Sequence, residues 1–247
     1  MYYYVYDEFV QDPKFERELS LIETRLTDLG ISGKIARLAL FRDASELIRD
    51  EVRKGAKTVV AVGNDATLQK VIDAVADSGV ALALIPLGQQ NRIADLLGVP
   101  SGVEACDVLS ARMIQELDTG SVNGTRFLHE ITIHASAPPT IVCDKSFKLM
   151  PGRSVDIEVR NLALPDDMVR AADPTDGRLE VVMRIPKRTW YGSKRLMATV
   201  VPVEQAVITC DSPMILEADG QSFESKEFFL KAIPNQLRVV TGKSRKF

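Results

Sequence analysis

From Tyr2 onward, short apolar runs alternate with segments whose apolar positions recur at helical spacing. That is the pattern of a parallel sheet covered by helices. Tyr2 to Val5 reads as a first strand, and Asp12-Pro13 opens a helix carrying Phe15, Leu19, Ile22, Leu26 and Leu29 on one stripe before Gly30 stops it. Asp43 with Glu46 resembles a capping box for a helix ending near Gly55. The β-branched run Thr58 to Val62 predicts a strand buried on both faces, as parallel sheets require. A helix through Leu68, Val71, Ile72 and Val75 follows, then a second buried strand from Ala81 to Ile85. A short helix is expected over Arg92 to Leu97, and Cys106, Leu109, Met113 and Leu117 predict one more before Gly120.

After Thr125 the period changes to two. Val155, Ile157 and Val159 oppose Asp156, Glu158 and Arg160, and Leu179, Val181, Met183 and Ile185 repeat the alternation, as strands with one face in water do. Turns at Met150-Pro151-Gly152 and Asp176-Gly177 separate them. The prediction is an α/β chain: a three-layer parallel-sheet domain over residues 1–118, then a mainly antiparallel β-sandwich over residues 119–247, with Asp118 to Asn123 as the linker.

Composition narrows the setting. An apolar fraction of 45% with 26% charged residues belongs to a folded protein, and a net charge of −3 carries no signal for nucleic acid, which is not expected as a partner. Three cysteines, Cys106, Cys143 and Cys210, are odd in number, far apart and without a CxxC, which argues against a disulfide framework or a zinc knuckle. The N-terminus lacks the basic and apolar regions of a secretory signal, and no later run is long enough to cross a bilayer, so a cytoplasmic location is expected. The Asn123-Gly124-Thr125 sequon carries no weight in that compartment. His129 and His134, five apart in a strand pattern, fall on opposite faces and make no paired metal site. Lys187-Arg188 and Lys194-Arg195 bracket Trp190 and Tyr191, a cluster that reads either as a contact for anionic lipid headgroups or as a solvated loop.

Two turns carry candidate chemistry. Gly63-Asn64-Asp65-Ala66-Thr67 and Pro86-Leu87-Gly88-Gln89-Gln90-Asn91 each lie between a buried strand and a helix. In an open parallel sheet, ligands sit at the carboxyl ends of strands, where helix N-termini present free N–H groups to phosphate. The same residue types also serve ordinary turns and caps, so phosphate binding and plain turn chemistry both stand as readings of these residues.

These loops resemble the catalytic domain of the diacylglycerol-kinase-like lipid kinases, whose pattern is a GGDGT loop, a strand, and a PLGTGNDFA-type loop. Here they read Gly63-Asn64-Asp65-Ala66-Thr67 and Pro86-Leu87-Gly88-Gln89-Gln90-Asn91-Arg92-Ile93-Ala94. Asp173-Pro174-Thr175-Asp176-Gly177-Arg178 is similar to the family's metal-binding turn, and Leu216-Glu217-Ala218-Asp219-Gly220-Gln221 to its LDGE segment. The resemblance implies an N-terminal nucleotide-binding domain, with Gly63, Asn64, Asp65, Ala66, Thr67, Gly88 and Asn91 facing nucleotide. It implies ATP and Mg²⁺ as cofactors, with metal at Asp173, Asp176 and the Arg178 carbonyl, and a lipid hydroxyl as acceptor at a membrane surface. An exposed strand edge in the second half could also pair two subunits.

The departures from the family pattern fall on the chemistry. Gln221 stands where the family has the Glu taken as general base beside Asp219, and a carboxamide accepts no proton at neutral pH. That assistance is worth ~10²–10⁴ in rate. Arg92 stands where the family has an Asp that organises metal and phosphate; it can hold phosphate but not ligate Mg²⁺. Ala66 replaces a glycine, at a cost of ~1–2 kcal/mol if φ there is positive. Tyr6-Asp7-Glu8-Phe9-Val10 replaces a nucleotide-touching turn, and its two carboxylates disfavour a polyphosphate. Two readings result: an ATP-dependent lipid kinase, or a catalytically degenerate relative acting as a nucleotide- or lipid-binding or interaction module. The NAD kinases, which use a GGDGT-like loop, are a third comparison, and the Leu-Gly-x-x-Asn stretch favours the lipid kinases.

Overall fold

The computed structural model describes residues 1–38, 44–188, 194–218 and 221–247, excluding the side chains of 186–188, 194–196 and 221. The chain divides into one unit of Met1–Leu117 with Gln236–Lys246, and another of Asp118–Asn235 with Phe247. A single boundary near residue 118 does not anticipate the return of Gln236–Lys246 to the first unit.

The first unit begins with β1 (Tyr2–Tyr6), α1 (Glu16–Asp28), β2 (Gly33–Arg37), α2 (Ala44–Arg53), β3 (Thr58–Gly63) and α3 (Asp65–Ser78). It continues through β4 (Ala81–Pro86), α4 (Arg92–Leu96), α5 (Ala105–Ala111) and the start of β5 (Ile114–Val122). β1 pairs in parallel with both β2 and β3, and β3 with β4, giving the order β2-β1-β3-β4. The chain therefore reverses its direction of winding at the β1/β3 junction, where open α/β sheets place their ligands. Every residue of β3 and β4 is buried, which explains their unbroken apolar runs.

α1 behaves as its stripe predicts. Asp12 accepts the N–H of Lys14 and Pro13 leads a short 3₁₀ turn into the helix, Ile22 and Leu26 are buried, and Gly30 takes a φ of +67° beyond its end. For α2, Asp43 of the expected capping box lies outside the described residues. β2 had no counterpart in the sequence reading, because Gly33-Lys34-Ile35-Ala36-Arg37 is an edge strand with little apolar content. The helix expected through Met113 and Leu117 ends early: Arg112 takes a left-handed φ of +51°, and the chain leaves α5 to enter β5. Nor is Asp118 to Asn123 a linker, since β5 runs through Val122 and Leu117 to Val122 are buried.

In the second unit, β6 (Thr125–Phe127), β7 (Glu130–Ala135), β8 (Thr140–Cys143), β9 (Phe147–Leu149), β10 (Asp156–Arg160), β11 (Leu179–Arg188) and β12 (Lys194–Val203) precede two long strands. These are β13 (Gln205–Ala218) and β14 (Gln221–Val240). The last residues of β14, from Gln236, belong to the first unit, where Arg238 pairs in parallel with Ala81. The pairing β12-β11-β10-β7-β13 is antiparallel throughout, and β13 shifts register between Thr209 and Met214 so that its first half pairs with β8 and its second with β7. One face packs Ile131, Ile133, Ile157, Val159, Val181, Met183, Met214 and Leu216 into a common core. On the other face Glu130, Arg160 and Glu180 lie in register across three neighbouring strands.

None of the described helices is long and apolar enough to cross a membrane. Gly120 marks the tightest point of β5: a Cβ there would stand 2.1 Å from Cζ of Phe127, which pairs with it from β6. Gly120→Ala is expected to destabilise the fold by about 1–3 kcal/mol through this overpacking, read as a lower urea midpoint with an unchanged slope.

Candidate functional site

β3 ends in a glycine because nothing larger fits. Gly63 has a φ of +155°, and a Cβ there would lie 2.1 Å from Oγ1 of Thr67. Its close approach lets the chain turn at once into α3. Asn64, extended at φ −117°, caps that helix: its Oδ1 accepts the N–H of Ala66 at 3.1 Å and of Thr67 at 3.3 Å. Thr67 Oγ1 in turn accepts the Asn64 N–H at 3.0 Å, closing a capping box. Asn64 is therefore held extended by its own cap. Ala66 sits within the first helical turn and is absent from the positive-φ positions, so the strain expected for it does not arise.

The second turn lies against the first. The Asp65 N–H donates to the Gln90 carbonyl at 3.0 Å, and the Leu87 N–H to the Gly63 carbonyl at 2.8 Å. The Asp65 carboxylate accepts the N–H of Arg92 at 2.8 Å and of Ile93 at 3.1 Å, which caps α4 from the neighbouring loop. Gly88 turns at φ +74° beneath the ring of Phe9. Gln90 holds a φ of +64°, a conformation that costs a residue with a Cβ about 1–2 kcal/mol. Asn91 donates its Nδ2 to the Gly88 carbonyl at 3.0 Å, while its buried Oδ1 has no hydrogen-bond partner. Gly63, Asn64, Asp65, Ala66, Thr67, Gly88, Asn91 and the backbone of Arg92 are thus brought together. The amides of Asn64 through Thr67, and of Arg92 and Ile93, are already engaged by protein oxygens. As it stands, the arrangement does not fit a polyphosphate chain cradled on those amides.

Asp7, at the tip of β1, is only 3% exposed. Its N–H donates to the Val62 carbonyl, extending the β1/β3 pairing by one residue. The carboxylate accepts the Thr67 hydroxyl at 2.8 Å and pairs with the Lys70 ammonium at 2.8 and 3.0 Å. Sequence reading registered the charge of Asp7 but missed Lys70, which falls on the exposed face of α3 where a lysine draws no notice.

The predicted metal turn lies in the second unit. Asp173 Oδ1 accepts the backbone and hydroxyl of Thr175, and Asp176 Oδ1 accepts the Arg178 N–H at 2.9 Å. Asp118, also missed, lies beneath: its carboxylate accepts the N–H of Gly177 at 2.6 Å and of Asn235 at 2.8 Å. Burial raises the Asp176 carboxyl above its ordinary range; the Arg178 N–H opposes this, while the carboxylates of Asp173 and Asp118 raise it further. Among the described residues no three acidic, histidine or cysteine side chains converge on one metal position. A site here would combine the Asp173 and Asp176 carboxylates with the Arg178 carbonyl and water, a set that suits Mg²⁺, which keeps several waters. The only sequence signal for Asp118 is a charged residue inside a buried strand run.

Asp219, and the side chains of Gln221 and of the Lys187-Arg188, Trp190-Tyr191 and Lys194-Arg195 cluster, lie outside the described residues. His129 Nδ1 meets the Leu162 carbonyl, whereas His134 on β7 contacts Asp156 at 2.9 Å and Glu217 at 3.5 Å. Those carboxylates raise the His134 pKa, the hydrogen bond to Asp156 contributing most.

A parallel sheet wound as β2-β1-β3-β4 with an antiparallel unit following is the fold of solved diacylglycerol kinases. A diacylglycerol kinase structure from Bacillus anthracis superposes with a TM-score of 0.80 over 98% of this chain and 97% of that one, at 16% identity. Residues 4–122, just under half of the chain, match the diacylglycerol kinase catalytic domain. A protein of Pseudomonas aeruginosa described as "Probable lipid kinase YegS-like" is 35% identical over 92 residues, 36% of this chain and 30% of that protein. The diacylglycerol kinase of Bacillus subtilis is 24% identical over 119 residues, 47% of this chain and 39% of the enzyme. The matched stretch thus spans well under half of these relatives.

Asn64→Ala should cost about 0.5–2 kcal/mol by uncapping α3, measurable as a lowered denaturation midpoint. His134 contributes through its protonated form, because its folded pKa lies above the ordinary 6.5. That contribution is full below the unfolded value and lost as pH rises through the folded one. The stability difference between the protein and His134→Gln should therefore shrink between pH 5.5 and pH 8.5, roughly bracketing the histidine range.

Proposed function

We propose that this chain is a catalytically degenerate member of the lipid-kinase family, keeping its two-turn frame as a binding or interaction module. The observation that carries the reading is the occupation of the turn amides: Asn64 caps α3 and Asp65 caps α4. A phosphate entering this frame must displace side-chain oxygens from several hydrogen bonds. Arg92 and Gln221, standing where the family has acidic groups, point the same way. Neither can hold Mg²⁺ through a carboxylate, and Gln221 cannot take a proton from a lipid hydroxyl.

The frame itself favours a second reading, of a slow ATP-dependent lipid kinase. The two turns are locked side by side through Asp65 and Gln90, and the turn at Asp173, Asp176 and the Arg178 carbonyl has the oxygen donors of a Mg²⁺ site. When bound, the ion would neutralise the mutual repulsion of Asp118, Asp173 and Asp176. Mg²⁺ and ATP, and a lipid such as diacylglycerol at a membrane surface, belong to this second reading, as does any pairing of two subunits.

Calorimetric titration with Mg-ATP separates the two. The degenerate reading expects no saturable heat up to roughly 1 mM, a binding free energy of about −4 kcal/mol. Micromolar binding that Asp65→Ala weakens would overturn it. Under the slow-kinase reading, Gln221→Glu combined with Arg92→Asp should raise lipid phosphorylation by about 10²-fold or more, if general-base assistance has its usual weight; an unchanged rate removes that reading.

A further inference from the structure

The ion pair at the β1/β3 junction has no role in the proposed function as stated. Asp7 emerges from β1 where the winding of the sheet reverses, in the position from which such sheets contact their ligands. It is not a solvated acid. Its side chain is 4% exposed and holds the Thr67 hydroxyl at 2.8 Å and the Lys70 ammonium at 2.8 and 3.0 Å. Thr67 is itself bound to the Asn64 N–H, so Asp7, Thr67 and Asn64 form one chain of hydrogen bonds from the tip of β1 into the turn after β3. Lys70 is one turn further along α3, where its ammonium pairs with Asp7.

We infer that Asp7 is a specificity-determining residue that excludes polyphosphates from the tips of β1 and β3. It does so by spending the two groups there that could receive an anion, the Lys70 ammonium and the Thr67 hydroxyl. A carboxylate with little solvent also repels a second anion more strongly than an exposed one does. A phosphate therefore enters at this point only if Asp7 is removed. This inference rests on the reading of the turns as no longer serving a nucleotide, and it assigns the first-strand acid as the cause at this subsite.

The probe is inorganic tripolyphosphate without divalent metal, titrated calorimetrically into the whole chain. Asp7→Asn keeps a hydrogen-bond acceptor for Thr67 and frees the ammonium. It should bind tripolyphosphate at least about tenfold more tightly than the unaltered protein, a gain of ~1.4 kcal/mol. Asp7→Asn with Lys70→Gln should lose that gain. An affinity for Asp7→Asn within twofold of the unaltered protein would overturn the inference, as would a gain that survives in the double variant. Asp7→Ser gives a second route should Asp7→Asn fold poorly, judged by its thermal transition. In the unaltered protein, tripolyphosphate should leave the rate of Lys70 acylation unchanged, and protection there would also overturn the inference. The two proposals fail separately. Micromolar Mg-ATP binding by the unaltered protein ends the degenerate reading, whereas the tenfold ratio between Asp7→Asn and the parent tests Asp7 whatever that affinity is.

Discussion

The double hydrogen bond from the Arg92 and Ile93 amides to the Asp65 carboxylate is the constraint on which the first unit's putting-together of its two turns depends. A helix as short as α4 has few internal bonds of its own, so its N-terminus needs acceptors from elsewhere. Asp65 supplies them from the first turn of α3, and its own N–H returns to the Gln90 carbonyl. The left-handed Gln90 persists because this bridge fixes the chain after it and the bond from the Leu87 N–H to the Gly63 carbonyl fixes it before. Asp65 lies in the loop that resembles the lipid-kinase motif, and here its carboxylate holds one turn against the other.

Charge is distributed differently in the two units. In the first, Asp7 is balanced by Lys70, and Asp65 by helix N-termini that carry partial positive charge. In the second, Asp118, Asp173 and Asp176 lie near one another, and the backbone N–H groups that meet them offset only part of the repulsion, leaving the Asp176 carboxyl raised. A row of Glu130, Arg160 and Glu180 shows the same incompleteness. Arg160 stands 3.9 Å from each glutamate, its Nε and Nη1 lack hydrogen-bond partners, and burial raises the Glu180 carboxyl. Buried charge of this kind adds little net stability, but removing one member exposes the cost of the others.

Much of the fold was legible because two periodicities divide the chain. β3 and β4 read as unbroken apolar runs, α1 as a stripe through Ile22 and Leu26, and β10 and β11 as strict alternation. What failed were places where local pattern and tertiary contact disagree. Met113 and Leu117 fit a helical spacing, yet the left-handed Arg112 had already ended α5. Asp118 to Ser121 looked like a polar linker because the sequence does not reveal that Asp118 meets Gly177 and Asn235, or that Gly120 makes room for Phe127. At the candidate site the loops were legible from their Gly, Asn and Asp residues. Their internal satisfaction was not, because the same Asn that permits a turn also caps a helix, and only geometry separates those uses.

The return of Gln236–Lys246 to the first unit has a consequence for biosynthesis. β4 receives its partner from β14 at Arg238 and Val239, and Gly242 then approaches Gly98 so closely that a Cβ would fall 1.8 Å from its carbonyl oxygen. Until the ribosome has released those residues, one border of the nascent first unit stays open, with the apolar β4 at its margin. The intervening unit can mature earlier, since its own strands are complete by Asn235. The order of emergence thus leaves the first unit waiting for a segment made only after the whole of Asp118–Asn235, an interval in which an unpaired apolar strand invites intermolecular association and chaperone attention.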